Sequence, residues 1–102
     1  MNFSEALDKL KAGYAISRKG WNGANMFIYL EHESLVDEKK VRNDTLRKLL
    51  SANTNKVKFN SHIDMKTADG SVTVGWIASQ TDILADDWIL YDNKIVSINL
   101  KQ

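Results

Sequence analysis

His62-Ile63-Asp64-Met65-Lys66-Thr67-Ala68-Asp69-Gly70-Ser71-Val72-Thr73-Val74-Gly75-Trp76 is two β-patterned runs joined by Asp-Gly. Ile63 and Met65 stand two apart, and Asp-Gly tolerates the positive φ of a tight hairpin turn. A hairpin between residues 63–67 and 71–76 is therefore expected. The β pattern continues on both sides. Val57 and Phe59 alternate before the hairpin, and after it an apolar run at 88–91 and an alternating stretch at 95–100 read as two strands separated by a turn at Asp92-Asn93. Further upstream, residues 26–30 are a continuous apolar run that reads as a well-buried strand, and residues 14–18 alternate as a short one. Lys19-Gly20-Trp21-Asn22-Gly23 between them reads as a turn. The start of the chain has another period: Phe3, Leu7 and Leu10 recur at helical spacing with Ala6 beside them. Ser4 is placed to cap this helix, Glu5 and Asp8 suit its positive start, Lys9 and Lys11 its end, and Gly13 its left-handed stop. Residues 78–84 read as a single helical turn capped by Ser79 or Thr81. The sum is an α+β fold, an N-terminal helix packed on a mainly antiparallel sheet.

Residues 31–56 differ in character. Glu31, His32, Glu33, Asp37, Glu38, Lys39, Lys40 and Arg42 leave few apolar anchors. Within this stretch residues 45–52 suit a short helix capped by Asn43 or Asp44, with Leu46, Leu49 and Leu50 facing inward and Asn53-Thr54-Asn55 ending it. The region reads as a charged excursion from the sheet of one domain spanning 1–102, since no repeat, linker or low-complexity segment divides the chain.

Composition narrows the function. The 102 residues carry 14 Lys and Arg against 13 Asp and Glu, a net charge of +1, which argues against a general DNA or RNA binder. With 43% hydrophobic residues the chain is no disordered tail. The absence of cysteine removes disulfides, thiolate zinc sites and thiol catalysis. No apolar run approaches the ~20 residues of a membrane span, and an N-terminus bearing Glu5 and Asp8 is no signal peptide. A cytoplasmic protein is expected, without membrane contact.

Catalytic chemistry has little to stand on. His62 and Asp64 are two apart on an expected strand, so they share a face and could orient a base, but no third group joins them. Asp86-Asp87 reads as a turn cap. No nucleophile elbow, phosphate loop or dinucleotide fingerprint occurs, and no cofactor is expected. Binding chemistry has better material. Trp21, flanked by Arg18, Lys19 and Asn22 in its turn, suits the face of a base or sugar beside a phosphate, and equally suits a plug at one end of the core. Trp76 leads into Ser79, Gln80, Thr81 and Asp82 at an expected helix start, which is an anion-friendly place or an ordinary capping sequence. Met26 and Met65 are gap-fillers first and ligand contacts second, and Trp88 belongs to the core.

Two stretches are less generic. The first runs from Met1-Asn2-Phe3-Ser4-Glu5-Ala6-Leu7 to Ser17-Arg18-Lys19-Gly20-Trp21-Asn22-Gly23 and Met26-Phe27-Ile28-Tyr29-Leu30. The second runs from His62 to Gly70 and then from Trp76-Ile77-Ala78-Ser79-Gln80-Thr81-Asp82 to Asp86-Asp87-Trp88. In order and spacing they resemble the small phage and prophage family of the second type of Thoeris anti-defence protein, over roughly residues 1–30 and 62–91. The resemblance implies a sponge rather than an enzyme. Such a protein sequesters cyclic ADP-ribose isomers such as glycocyclic ADP-ribose, and in some relatives cyclic dinucleotides at a separate site. It would thereby blunt Thoeris immunity and also cyclic-oligonucleotide defence. It further implies a homotetramer with pockets at subunit interfaces. Carried onto this chain, the ligand-binding set is Arg18, Trp21, Asn22 and Met26 from the first stretch, and Met65, Trp76, Ser79, Gln80 and Asp82 from the second. Arg18 would face phosphate, Trp21 or Trp76 would stack, and the polar groups would read hydroxyl and base edges. Residues 31–61 match nothing in the family pattern. A protein–protein adaptor using the charged 31–56 region on a host defence protein is the alternative, ahead of an enzyme using His62 and Asp64.

Overall fold

Phe3, Ala6, Leu7 and Leu10 form one face of a helix whose Ala6 and Leu10 are buried. In the computed structural model, which describes residues 1–21, 25–50 and 56–91, the elements run α1 (Phe3–Lys11), β1 (Ile16–Arg18), β2 (Phe27–Glu31), β3 (Ser34–Asp37), a 3-10 turn (Glu38–Lys40), α2 (Asp44–Leu49), β4 (Lys56–Phe59), β5 (His62–Lys66), β6 (Val72–Thr73), α3 (Gln80–Leu84) and β7 (Trp88–Leu90). The expected turn at Asp92-Asn93 and strand at 95–100 lie outside the described residues, as do Asn53-Thr54-Asn55. The chain forms two compact units, one of residues 1–30 and 63–102, the other of residues 31–62.

The first unit is α+β. Its five strands lie in the order β6-β5-β2-β1-β7. β1 is antiparallel to β2, with Ile16 opposite Ile28, and to β7, with Arg18 opposite Trp88; β5 is antiparallel to β6. Ile16, Ile28, Met65 and Trp88 pack with Ala6 and Leu10 into the core. The 26–30 run is less buried than its apolar sequence suggests. Ile28 is its one buried residue, because strand alternation turns Phe27 and Tyr29 to the opposite side.

Helix ends correct the sequence reading in one place. Asn2, not Ser4, caps α1: its Oδ1 accepts from the Glu5 N–H at 2.9 Å, and the Glu5 carboxylate accepts from the Asn2 N–H at 3.0 Å. This reciprocal box satisfies two orphan donors where Ser4, already inside the helix, could reach neither. At the other end Gly13, at φ +99°, donates to the Leu10 carbonyl while Tyr14 donates to that of Lys9, the paired closure for which a left-handed residue is needed. The Asp69-Gly70 hairpin forms with Gly70 at φ +94°, and Thr67 and Ser71 close it, but β6 is cut to two residues.

The second unit pairs β3 with β4, Leu35 opposite Lys58 and Val36 opposite Val57. β3 is absent from the sequence reading because charges flank its two apolar residues. Asn43 caps α2 through the Leu46 N–H at 2.9 Å, and the Arg47 guanidinium donates to the Val41 carbonyl at 2.7 Å. Leu49 does not face inward as expected; it is 79% exposed on a helix too short to offer a full apolar stripe. Among the described residues no helix is long and apolar enough to cross a membrane.

Candidate functional site

Arg18 ends β1 directly opposite Trp88, and that register brings it beside Asp87. Its Nε donates to Asp87 Oδ1 at 2.8 Å and its Nη2 to Oδ2 at 3.4 Å, a two-pronged grip. Its Nη1 donates to Asp82 Oδ1 at 2.7 Å. The side chains of Arg18 and Asp82 are each only 13% exposed, so this pair is shielded from water on most sides. A guanidinium has five N–H donors, and among the described residues these carboxylates take three of them.

Asp82 is the hub of the cluster. Oδ1 also accepts from the Trp21 indole N–H at 3.2 Å, and Oδ2 from the Ser79 N–H at 3.3 Å. The Ser79 hydroxyl accepts from the Asp82 N–H at 3.0 Å, completing a capping box at the start of α3. The Asp82 carbonyl accepts from the Trp88 indole N–H at 2.9 Å. Burial alone would raise the Asp82 carboxyl, but hydrogen bonds from Arg18, Trp21 and Ser79 outweigh it and hold it below its ordinary value. The Arg18 hydrogen bonds hold Asp87 low as well, helped by the Gly20 N–H. Reciprocally, Asp87 and then Asp82 raise the Arg18 guanidinium.

Three indoles complete the arrangement. Trp21 meets Trp88 edge-on with centroids 5.3 Å apart and Trp76 edge-on at 6.2 Å; Trp76 and Trp88 are 6.5 Å apart. Trp88 is fully buried, whereas Trp21 and Trp76 are half-buried against the core. Trp21 therefore packs as the plug reading expects and still leaves part of its ring at the surface.

Of the residues read from sequence, Arg18, Trp21, Trp76, Ser79 and Asp82 are brought into one connected cluster. Met26 is half-buried against the same core, and Met65 is a core residue at 9% exposure, the gap-filling role. Gln80 begins α3 and is exposed. Asn22 lies outside the described residues. Two expectations change. The anion foreseen at the α3 start has a competitor in the chain's own Asp82, whose carboxylate takes the Ser79 N–H while the Ser79 hydroxyl takes the Asp82 N–H. Arg18, foreseen facing phosphate, is gripped by two carboxylates, so the cluster is locally net negative and a phosphate must compete with them.

Asp87 and Gly20 are the members that sequence reasoning missed. Asp87 does cap a turn, since its Oδ2 accepts from the Gly20 N–H at 2.8 Å, but its grip on Arg18 spans 69 residues and has no local signature. A Cβ on Gly20 would stand 2.8 Å from that same oxygen.

The groups held in reserve for acid–base work are engaged elsewhere. Asp64 is buried and accepts from the Gly75 N–H at 3.0 Å. His62 Nδ1 lies 2.8 Å from the Asn60 carbonyl. Among the described residues no group of three or more His, Asp or Glu is placed to hold a metal ion.

The family model for Tad2-like proteins, described as a Thoeris anti-defense 2-like domain, matches residues 1–91, so the match takes in residues 31–61, which the sequence reading places outside the family pattern. Thoeris anti-defense 2 of Bacillus phage SP01 is 38% identical over 89 residues, covering 86% of this chain and 91% of that protein.

Proposed function

The chain belongs to the Thoeris anti-defense 2-like family, whose general role is anti-defence, and from that premise we propose that it acts by binding a nucleotide immune signal and withholding it unchanged. The ligand class is a cyclic ADP-ribose isomer, glycocyclic ADP-ribose among them, with a cyclic dinucleotide as the second candidate. The observation that carries this reading is the joining of two sequence segments, 18–21 and 76–87, into one half-open aromatic cluster. Trp21 and Trp76 offer ring surface to adenine, exposed Gln80 suits hydroxyls, and a pyrophosphate would draw on Arg18 in competition with Asp82 and Asp87.

A binding role also suits the state of the acids. A general base works best with a pKa near the operating pH, and Asp82 and Asp87 are held below the ordinary carboxylate value by Arg18. Carboxylates so committed orient neighbouring groups and are poor proton acceptors.

To titrate a scarce signal the affinity must be high, and ~1 nM corresponds to about −12 kcal/mol. A half-open surface on an 11.6 kDa chain encloses little of such a ligand. Val74, Ile77 and Leu84 are 69%, 88% and 76% exposed in the segments flanking Trp76 and Asp82, which supports association with a further copy that closes each pocket; the resemblance makes that assembly a homotetramer. The test is the melting temperature against a panel of cyclic ADP-ribose isomers and cyclic dinucleotides, with the mass in solution measured alongside. A ligand present at 100 times its Kd and bound only by the native state adds about 2.7 kcal/mol. A shift of that size for one ligand, on an oligomer, is expected; no shift across the panel would sink the reading.

The adaptor reading has one observation in its favour. The second unit carries a groove of about 370 Å³ lined by the apolar Val36, Val41 and Phe59 together with Lys40, Arg42 and Asn43. Capture of a defence effector by a protein that binds no nucleotide would favour it.

A further inference from the structure

We infer that Asp87 is a positioning residue for Trp21: with Gly20 it forms a latch that fixes the turn from which Trp21 projects. The inference rests on the ligand-binding reading for its consequence, but the latch itself is a property of the free protein.

Four bonds from Asp87 converge on this turn. Its carboxylate accepts from Arg18 through both oxygens and from the Gly20 N–H through Oδ2, and its carbonyl accepts from the Lys19 N–H at 3.2 Å. The turn then closes on itself, with the Trp21 N–H donating to the Arg18 carbonyl at 3.3 Å. Consecutive residues 18, 19 and 20 are thus all held by one residue, and Trp21 follows with its indole N–H aimed at Asp82. A ring that must present one face to a ligand gains affinity from being held in place before the ligand arrives.

Gly20 is the other half of the latch, for reasons of space. A Cβ there would lie 2.8 Å from Asp87 Oδ2 and 3.2 Å from Arg18 Nη2. The oxygen that would be struck is the one holding the turn, so a side chain at position 20 displaces the carboxylate at the end where it meets the Gly20 N–H and Arg18 Nη2. Asp87 and Gly20 consequently act as one device, and damage to either is damage to both.

That coupling gives the test. Gly20→Ala, Asp87→Ala and the double variant are compared in two measurements. In the free protein, acrylamide quenching of tryptophan fluorescence is read with and without Trp21→Phe, which isolates the Trp21 contribution. The Trp21 part of the quenching should rise in each single variant and rise no further in the double. In the second measurement the Kd for cyclic ADP-ribose isomers should weaken about tenfold or more in each single variant, the scale of a displaced aromatic anchor. The double should be no weaker than Asp87→Ala alone, since without the carboxylate a methyl added at position 20 has nothing rigid to strike. Unchanged Trp21 quenching in the single variants, or losses that multiply in the double, would overturn the latch. Should Asp87→Ala not fold, Asp87→Ser withdraws the carboxylate while keeping a polar side chain, and the same cycle is read with it. If the unaltered protein binds none of the isomers, the functional reading fails, and the quenching cycle still decides the latch.

Discussion

Asp82 accepts hydrogen bonds from Arg18, Trp21 and Ser79 through one carboxylate that is 13% exposed. Removing it leaves the shielded Arg18 Nη1 and the Trp21 indole N–H without their acceptor, which costs more than the loss of a surface pair. Asp82→Ala should therefore destabilise the fold by about 3 kcal/mol, near the lower end for breaking a shielded ion pair because Asp87 still neutralises Arg18. A urea titration followed by circular dichroism checks it, and a loss within 0.5 kcal/mol, about the surface norm, would contradict the hub role. At this scale the sequence was half legible. Arg18, Trp21, Trp76, Ser79 and Asp82 stand in short local patterns, a basic aromatic turn and a capping motif, and these could be read directly. Asp87 could not, because its meaning comes from the register that sets Arg18 opposite Trp88, and its neighbour Asp86 makes the pair look like an ordinary turn. The direction of Arg18 was hidden for the same reason. A cation on a loop suggests a ligand anion until the fold supplies two anions of its own.

Among the elements, α1 is the most legible and its cap the least. Its apolar spacing reads directly, but Asn2 and Ser4 are both good capping residues, and only the backbone, extended at Asn2 with φ −79° and ψ 174°, chooses between them. Asn2→Ala should cost about 1 kcal/mol of stability, and Ser4→Ala should stay within about 0.5 kcal/mol. Chemical denaturation of the two variants side by side decides it; equal losses would contradict the assignment. The 62–76 hairpin was legible because Asp69-Gly70 states its turn chemistry outright. β3 was not, since two apolar residues between charges carry no period until β4 pairs with them. Leu49 was misread because a six-residue helix turns through too few positions for spacing to tell inside from outside.

The molecule as a whole should lose stability in acid through a few identifiable carboxylates. Arg18 first among their hydrogen-bond donors holds Asp87 low, and Arg18 with Trp21 and Ser79 overcomes burial to hold Asp82 low; the Thr67 hydroxyl and Ser71 bring Asp69 down to about 2. A carboxyl depressed by folding contributes stability above its unfolded value, ~3.9, and that contribution fades as the pH falls through the folded value. Melting temperature should thus be level from neutral pH to about 5 and fall steeply below about 4, with a shallower fall for Asp82→Asn. A steep fall already complete above pH 5 would point to other groups. The two units, 1–30 with 63–102 and 31–62, share one chain, and the family model runs across both. The central claim concerns the first, where the aromatic cluster holds a ligand without altering it. It is tested most directly by loading the purified protein with a cyclic ADP-ribose isomer, denaturing it with heat and weighing what is released by mass spectrometry. Sequestration predicts that the ligand returns intact and in proportion to the protein, and that Trp21→Ala, still folded, retains almost none. A released product of altered mass, formed in excess of the protein, would contradict the account.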